Sequence, residues 1–185
     1  MNGTPWWIPL LSVVIGVILG YAATELRESC RRTRERRGHL EALAVEIQIC
    51  SEIATGYLVG KVRAPAYRMP VLAYQRSLPA ILAEGVLNMT ETNALVRFYA
   101  NALAFNFSID QAQAVLMKKQ EDRPPNRLEL EVRRARLKAE KLGKSDRTPN
   151  HYDAAMSVLK KHLPEDSQRR LTLTAGELVE DEAHD

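Results

Sequence analysis

Cysteine is scarce in this chain, and its scarcity narrows the class of protein. The 185 residues include two cysteines, Cys30 and Cys50, which are not spaced as CxxC. This pattern excludes a disulfide scaffold and a cysteine-rich zinc site. We expect Cys50 to be a core thiol and Cys30 to be a plain thiol beside the membrane, with lipid attachment to Cys30 as the alternative.

The motifs of several enzyme classes are missing as well. The four histidines form no HExxH motif, and no GxGxxG, GxxxxGK[ST] or GxSxG sequence occurs. The residues therefore predict no metal, no cofactor and no catalytic group. An enzyme with an unrecognised site is therefore the weakest of the functional hypotheses.

Basic residues are absent from the end of the chain. Residues 171–185 contain five acids and no Lys or Arg, so the first 170 residues carry a formal charge of +8, five more than the +3 of the whole chain. A basic body suits an anionic membrane surface. Charge alone is weak support for nucleic-acid binding.

The one long uncharged run predicts a membrane helix. Residues 6–24 carry no charge, and at roughly 1.5 Å per residue they cover about 28 Å, close to the hydrocarbon thickness of a bilayer. Trp6, Trp7 and Tyr21 occupy the levels where aromatic rings meet headgroups. A cleaved signal peptide is the alternative. A signal peptide begins with a basic region, but no Lys or Arg precedes this run.

Arginines directly after the run predict its orientation and its lipid contacts. Positive charge resists translocation, so we expect a short extracytoplasmic terminus at 1–5 and a cytoplasmic chain after about residue 25. The reverse topology, a helical rod outside the membrane, is the alternative. The candidate contacts to anionic lipid are Arg27, Arg31, Arg32, Arg34, Arg36 and Arg37.

Small residues line one face of the predicted span. Ser12, Gly16, Gly20 and Thr24 recur every four positions, and such a face lets a second helix approach closely in a membrane. We therefore expect a homodimer through this face, while chance occurrence of a single GxxxG match is the alternative.

The rest of the chain predicts an all-α protein. We expect a juxtamembrane helix and helical bundle over 25–120, a charged helical region over 121–164, and a disordered acidic tail over 165–185. Two apolar seams with 3-4 spacing either pack on each other as a bundle or hairpin, which we favour, or pair with their copies as coiled coils. They are Leu40, Leu43, Ile47, Cys50, Ala54 and Tyr57, and Leu95, Phe98, Ala102, Phe105, Ile109, Ala112 and Leu116.

Capping signals predict where the helices begin and end. Thr90 would cap a helix over 91–119, and 106–110 is where an interruption or a kink would occur. Residues 71–87 would form one or two short helices, with Pro79 at the start of the second and Gly85 as the stop. Thr148-Pro149 would begin a last helix through Leu163. A weak stripe on 126–142 consists of Leu128, Val132, Ala135, Ala139 and Leu142.

The proline-bearing connector is the candidate partner contact. Pro65 and Pro70 hold Tyr67 and Arg68 in a stiff segment, and such loops recognise partners. A packed turn between helices is the alternative. Asn101, Asn106 and Asp110 on the following helix could line a polar notch, although Asn on a helix is more often solvated.

Several segments resemble a known kind of protein. They are Leu40-Glu41-Ala42-Leu43-Ala44-Val45-Glu46-Ile47, Ala64-Pro65-Ala66-Tyr67-Arg68-Met69-Pro70, Leu82-Ala83-Glu84-Gly85-Val86-Leu87, and Phe98-Tyr99 followed by Phe105-Asn106. With the span before them, residues 6–116 resemble an uncharacterised family of small single-pass bacterial inner-membrane proteins with a cytoplasmic helical domain. The resemblance implies an inner-membrane location and no catalytic residues.

These observations lead to two main hypotheses. The first is a non-enzymatic, membrane-anchored interaction or scaffold protein that docks an unknown cytoplasmic protein or self-assembles. The second is a membrane-tethered binder of a polyanion, either nucleic acid or anionic lipid, which predicts affinity that falls steeply with salt. Nucleic acid is the less expected of these partners.

Overall fold

A computed structural model of the chain describes residues 7–60, 67–117, 126–144 and 150–171, with side chains from Ile15 onwards. All regular structure in these residues is helical, which confirms the all-α prediction. The helices are α1 (Trp7–Leu58), α2 (Leu72–Ala83), α3 (Met89–Leu116), α4 (Arg127–Leu142) and α5 (His151–His162), followed by helical residues 165–171. The chain divides into two units, one up to Gly38 and one from His39.

The first unit consists of the amino-terminal part of α1. Its large apolar side chains are exposed, from Ile15 at 53% to Tyr21 at 69%. Over the part of the chain that the structure describes, no helix is both long enough and apolar enough to cross a membrane. Residues 1–6 and the side chains of 7–14, where the predicted 6–24 span begins, lie outside the described residues.

The second unit has one core built from all five helices. The α1 seam and the α3 seam from Leu95 to Ile109 belong to it, and the ring of Tyr57 meets the ring of Phe105 edge-on at 5.2 Å. A bundle within one chain therefore buries the seams, and the coiled-coil alternative gains no support. The largest fully buried side chains are Phe98, Tyr99 and Phe105.

Helix α3 differs from its prediction at both ends and in its middle. Asn88, not Thr90, is the N-cap, because its side chain accepts from the Glu91 N–H while the Glu91 carboxylate accepts from the Asn88 N–H. This reciprocal pair is a capping box. The helix continues through 106–110 without interruption, and Leu116 is exposed while Val115 is buried.

Of the two predicted alternatives, the single helix α2 forms, and Pro79 lies inside it. Because Pro79 has no backbone N–H, the carbonyl of Gln75, four residues earlier, loses its helical hydrogen bond. Both residues are exposed, so water can serve that carbonyl. Gly85 ends the segment as predicted, with a φ of +66° that glycine adopts without strain.

The later helices correct two smaller predictions. On α4, Glu131 takes the buried position and Val132 is exposed. The Glu131 carboxylate accepts from Arg134 at 2.7 Å one turn later, which explains how a charge is accommodated there. Helix α5 is capped by Asn150, while Thr148 and Pro149 lie outside the described residues.

The prediction of a disordered tail over 165–185 is wrong for its first residues, because residues 165–171 are helical. Ser167 is buried, and its hydroxyl donates to the Glu41 carboxylate at 2.6 Å. This short helix therefore belongs to the bundle. The tail residues 172–185 lie outside the described residues.

An ion cluster ties the start of α3 to the end of α5. The Lys161 ammonium lies 2.6 Å and the His162 ring nitrogen 3.2 Å from the Glu91 carboxylate. The Lys161 ammonium, followed by the backbone N–H of Asn88, lowers the pKa of Glu91 to about 2 from a usual 4.5. The negative form of Glu91 is thus favoured in the folded chain.

This cluster predicts an acid-sensitive part of the stability. Since the pKa of Glu91 is lower in the folded state, the unfolded chain takes up a proton first as the pH falls. The contribution of Glu91 is therefore complete above about pH 4.5 and is lost towards about pH 2. We expect Glu91→Gln to flatten the fall in unfolding free energy across that window, measured by urea unfolding in detergent at several pH values.

The exposed Glu129 provides the matched control for this experiment. Glu129→Gln should keep the wild-type dependence on pH. Equal slopes for the wild type and Glu91→Gln would show that the cluster does not contribute to stability.

A candidate docking groove between α1 and α2

An apolar groove runs between α1 and α2. Its volume is about 560 Å³. Val45 and Ile49 of α1 and Leu72 of α2 line it and are 41 to 57% exposed. Arg76 of α2 stands on its wall, and Glu46 lies at its base.

Glu46 fixes the position of α2 on α1. The N-cap residue of α2, Val71, has no side chain that can accept a hydrogen bond, so the first N–H groups of the helix need another acceptor. The buried Glu46 carboxylate accepts from the N–H groups of Ala73 at 2.7 Å and Tyr74 at 3.0 Å. A side chain of α1 therefore caps α2.

The carboxylate of Glu46 also affects two buried neighbours. Burial, together with the Glu46 charge, raises the pKa of the Cys50 thiol to about 12 and raises the pKa of the Tyr99 phenol. Both groups are neutral at physiological pH. The Cys50 thiol donates to the Pro70 carbonyl at 3.3 Å, so it holds the connector rather than acting as a nucleophile.

Helix α3 holds the connector from the other side. The Asn106 side chain accepts from the Met69 N–H and donates to the Met69 carbonyl, both at 2.8 Å. The Arg68 guanidinium pairs with the Asp110 carboxylate at 2.6 Å. Two of the three predicted notch residues thus bind the connector, while Asn101 bonds only to the Arg97 carbonyl of its own helix.

The predicted partner-contact residues have different surroundings. Pro70 lines the groove, Arg68 is engaged with Asp110, and Tyr67 is exposed. Pro65 lies outside the described residues. Among the described residues of the connector, Pro70 is the one that lines the groove.

The predicted lipid and helix-packing residues all lie on α1 in the first unit. The arginines from Arg27 to Arg36 are exposed, and Glu28 pairs with Arg31 at 2.9 Å and with Arg32 at 3.2 Å. These two arginines lower the pKa of Glu28. A side chain added at Gly16 or Gly20 would meet open space, and the Ser12 side chain lies outside the described residues.

Sequence reasoning missed the groove and the role of Glu46. A signal was present, because Glu46 lies among the seam positions Leu43, Ile47 and Cys50 and α2 begins without a polar cap. A second depression, of about 490 Å³, is lined only by residues 126–134 on one helix and its cap. Within the described ranges, no group of three or more His, Cys, Asp and Glu residues could hold a metal ion.

Comparisons of the chain with protein-family models, with curated proteins and with solved structures find no match. The resemblance to single-pass inner-membrane proteins remains a prediction. The geometry of the groove and of α1 is therefore the basis for any functional assignment.

Proposed function

We propose that this chain is a non-enzymatic docking protein anchored in the inner membrane by a single pass. Residues 6–24 would span the bilayer with the amino terminus outside. The arginines that follow would contact anionic headgroups, and the bundle would hold a protein partner in its groove on the cytoplasmic side.

The exposed and uncharged surface of residues 15–23 on α1 carries this proposal. Ile15, Val17, Ile18, Leu19 and Tyr21 are all more than half exposed. At 100° per residue they cover about 200° of the helix circumference, and the remaining sector holds Gly16, Gly20 and Ala23. Residues 15–23 therefore present no polar side, whereas a water-facing helix has one. Hydrocarbon is the environment that suits such a surface.

The arginine segment supports the same placement. The side chains of Arg31 and Arg32 are largely exposed even though both pair with Glu28. Each basic residue near an anionic leaflet contributes about 1 kcal/mol of attraction. Pairing of two anchors through Gly16 and Gly20 remains part of the proposal.

The groove favours one kind of partner segment. Its apolar walls suit the apolar side of an amphipathic helix. Arg76 on the α2 wall forms no ion pair among the described residues, so an acidic residue on that helix would complement it. We propose an amphipathic helix with an acidic residue flanking its apolar stripe.

Arginine in the middle of the run should abolish anchoring. An Arg costs about 2.5 to 3.5 kcal/mol at the centre of a membrane helix, so Ile15→Arg with Ile18→Arg should move the chain from floating vesicles to the soluble fraction. The measurement is flotation with phosphatidylethanolamine and phosphatidylglycerol vesicles, followed by a wash at high salt. Leu26→Arg, an equally apolar and exposed residue after the run, should still float.

The salt wash separates this proposal from the polyanion alternative. An inserted helix stays with the vesicles at high salt, whereas a chain held only by its arginines is released. Release of the wild-type chain would therefore contradict the anchor and favour electrostatic binding. Thiol labelling of Asn2→Cys and Asp166→Cys in a Cys30→Ser background then reports which end is outside.

Photo-crosslinking tests the groove in intact cells. Ile49 in the groove and Leu130 on α4 are similarly exposed, at 41% and 47%, so a photoreactive residue at either is similarly open to solvent. We expect a discrete protein adduct from position 49 only, which Leu72→Asp or Arg76→Glu removes. Equal adducts from both positions would contradict a docking role.

A further inference from the structure

The last described helix ends beside the groove. It covers residues 165–171, and the Ser167 hydroxyl donates to the Glu41 carboxylate at 2.6 Å. Glu41 lines the groove at the amino-terminal end of its α1 wall. Leu171 lies one helical turn beyond Ser167, about 6 Å along the axis, and packs against the core. Residues 172–185, which we call the acidic segment, are therefore attached next to the groove.

The acidic segment is long enough to reach the whole groove. The α1 wall runs from Glu41 to Ile49, which is about 12 Å at the rise of an α-helix. Residues 172–177 alone cover up to about 20 Å when extended. A tether this short keeps the segment near the groove at an effective concentration of about a millimolar. Weak contacts therefore suffice to fill the site.

The residues of the acidic segment match the lining of the groove. Leu178 and Val179 are adjacent and apolar, with Glu177 before them and Glu180 after them. The segment contains five acids and no Lys or Arg. An apolar pair flanked by acids is the pattern that the apolar walls and Arg76 favour in a bound segment.

The charges of the groove determine which wall the acids face. Two carboxylates line the α1 side, and both are engaged, because Glu46 caps α2 and Glu41 accepts from Ser167. Arg76 on the α2 side has no ion pair among the described residues. The acids of the segment are therefore attracted to the α2 wall and repelled by the α1 wall.

We propose that the acidic segment folds back and occupies the groove of its own chain. Leu178 and Val179 lie on the apolar walls, and an acid beside them pairs with Arg76. The segment then fills the site that a partner helix would use, so a partner has to displace it before docking. This competition rests on the proposed function, whereas the occupancy itself does not.

Photo-crosslinking of the purified, full-length chain in detergent tests the occupancy. A photoreactive residue replaces Ile49 in the groove or Leu130 on α4, which are similarly exposed at 41% and 47%. Residues 171–185 contain no Lys or Arg, so trypsin releases them as one peptide whose adducts mass spectrometry identifies. We expect at least fivefold more adduct of this peptide from position 49. Position 130 lies among the arginines of α4 and reports a segment that is held by charge alone.

Substitutions on both sides of the contact identify what holds the segment. Leu178→Asp with Val179→Asp, and separately Arg76→Glu, should reduce the adduct from position 49 to the level from position 130. Arg133→Glu on α4 is the matched control, because Arg133 is also exposed, and it should leave the adduct unchanged. Circular dichroism should show the same helix content in all of these chains.

The occupancy is overturned by equal adducts from positions 49 and 130, or by an equal loss with Arg133→Glu and with Arg76→Glu. An adduct that joins two chains overturns it as well, because the segment would then lie in the groove of a second copy.

The same photoreactive residue tests the competition in intact cells. Removal of residues 172–185 should raise the partner adduct from position 49 at least threefold, because the groove is no longer filled. An unchanged partner adduct would overturn the competition. A partner adduct in cells without any adduct of the segment in the purified chain would overturn the occupancy and support the proposed function. The segment adduct with no partner adduct, before or after the removal, would support the occupancy and contradict the proposed function.

Discussion

Glu46→Ala should lower the free energy of unfolding of the bundle by about 3 kcal/mol, because hydrogen bonds to a charged group contribute about 1.5 to 3 kcal/mol each. The Glu46 carboxylate accepts two of them, from the N–H groups of Ala73 and Tyr74. Without it, the first turn of α2 loses its only side-chain cap among the described residues. The open groove lets water replace part of the loss, which keeps the effect below the sum of two full bonds.

The expected fall in melting temperature is roughly 6 to 12 °C for a domain of this size. Hydrogen exchange provides the local measurement, since the amides of Ala73 and Tyr74 should lose protection before the rest of α2. Glu46→Gln retains one acceptor oxygen and should lose about half as much stability.

Glu52→Ala is the matched control on the same helix, because Glu52 is exposed. It should change the unfolding free energy by less than about 0.5 kcal/mol. If Glu46→Ala unfolds at the wild-type temperature with unchanged exchange, α2 does not depend on Glu46. The groove would then need another explanation for its shape.

Periodicity explains why the core was predictable. Every member of the α1 seam is buried or half-buried, and the α3 seam fails only at Leu116. A 3.6-residue helix repeat places such residues on one face regardless of the partner. That local rule needs no knowledge of the fold.

Contacts between distant segments explain why the site was not predictable. Glu46 and Ala73 are 27 residues apart, and Met69 and Asn106 are 37 residues apart. No spacing rule connects such pairs. From the sequence alone, Asn106 is an ordinary surface residue of a helix. Its side-chain amide has two backbone partners only because the connector packs on α3 in the folded chain.

The cap of α3 could have been predicted from the sequence, but only by a closer reading than the core required. Asn88 and Thr90 are both good caps, but only Asn88 has Glu91 three residues later, and the reciprocal bonds decide between them. The rule was available from the sequence. It required testing each candidate cap for its partner at the third helical position.

Asn106→Ala should lower the unfolding free energy by about 2 kcal/mol, because it leaves the N–H and the carbonyl of Met69 without partners in a partly buried place. The Met69 side chain is buried, so the segment cannot simply turn towards water. Urea unfolding gives the size of the effect. Asn101→Ala, which breaks only a bond within its own helix, should change stability by no more than about 0.5 kcal/mol.

Asn106→Asp should show a pH dependence that tests the geometry directly. An ionised Asp can accept from the Met69 N–H but repels the Met69 carbonyl, so the folded state should raise the pKa of the new carboxyl above that of the unfolded chain. The deficit relative to the wild type should therefore be largest at neutral pH and shrink as the pH falls and the protonated Asp donates to the carbonyl. A deficit that does not vary with pH would mean that the Met69 carbonyl receives no hydrogen bond from position 106.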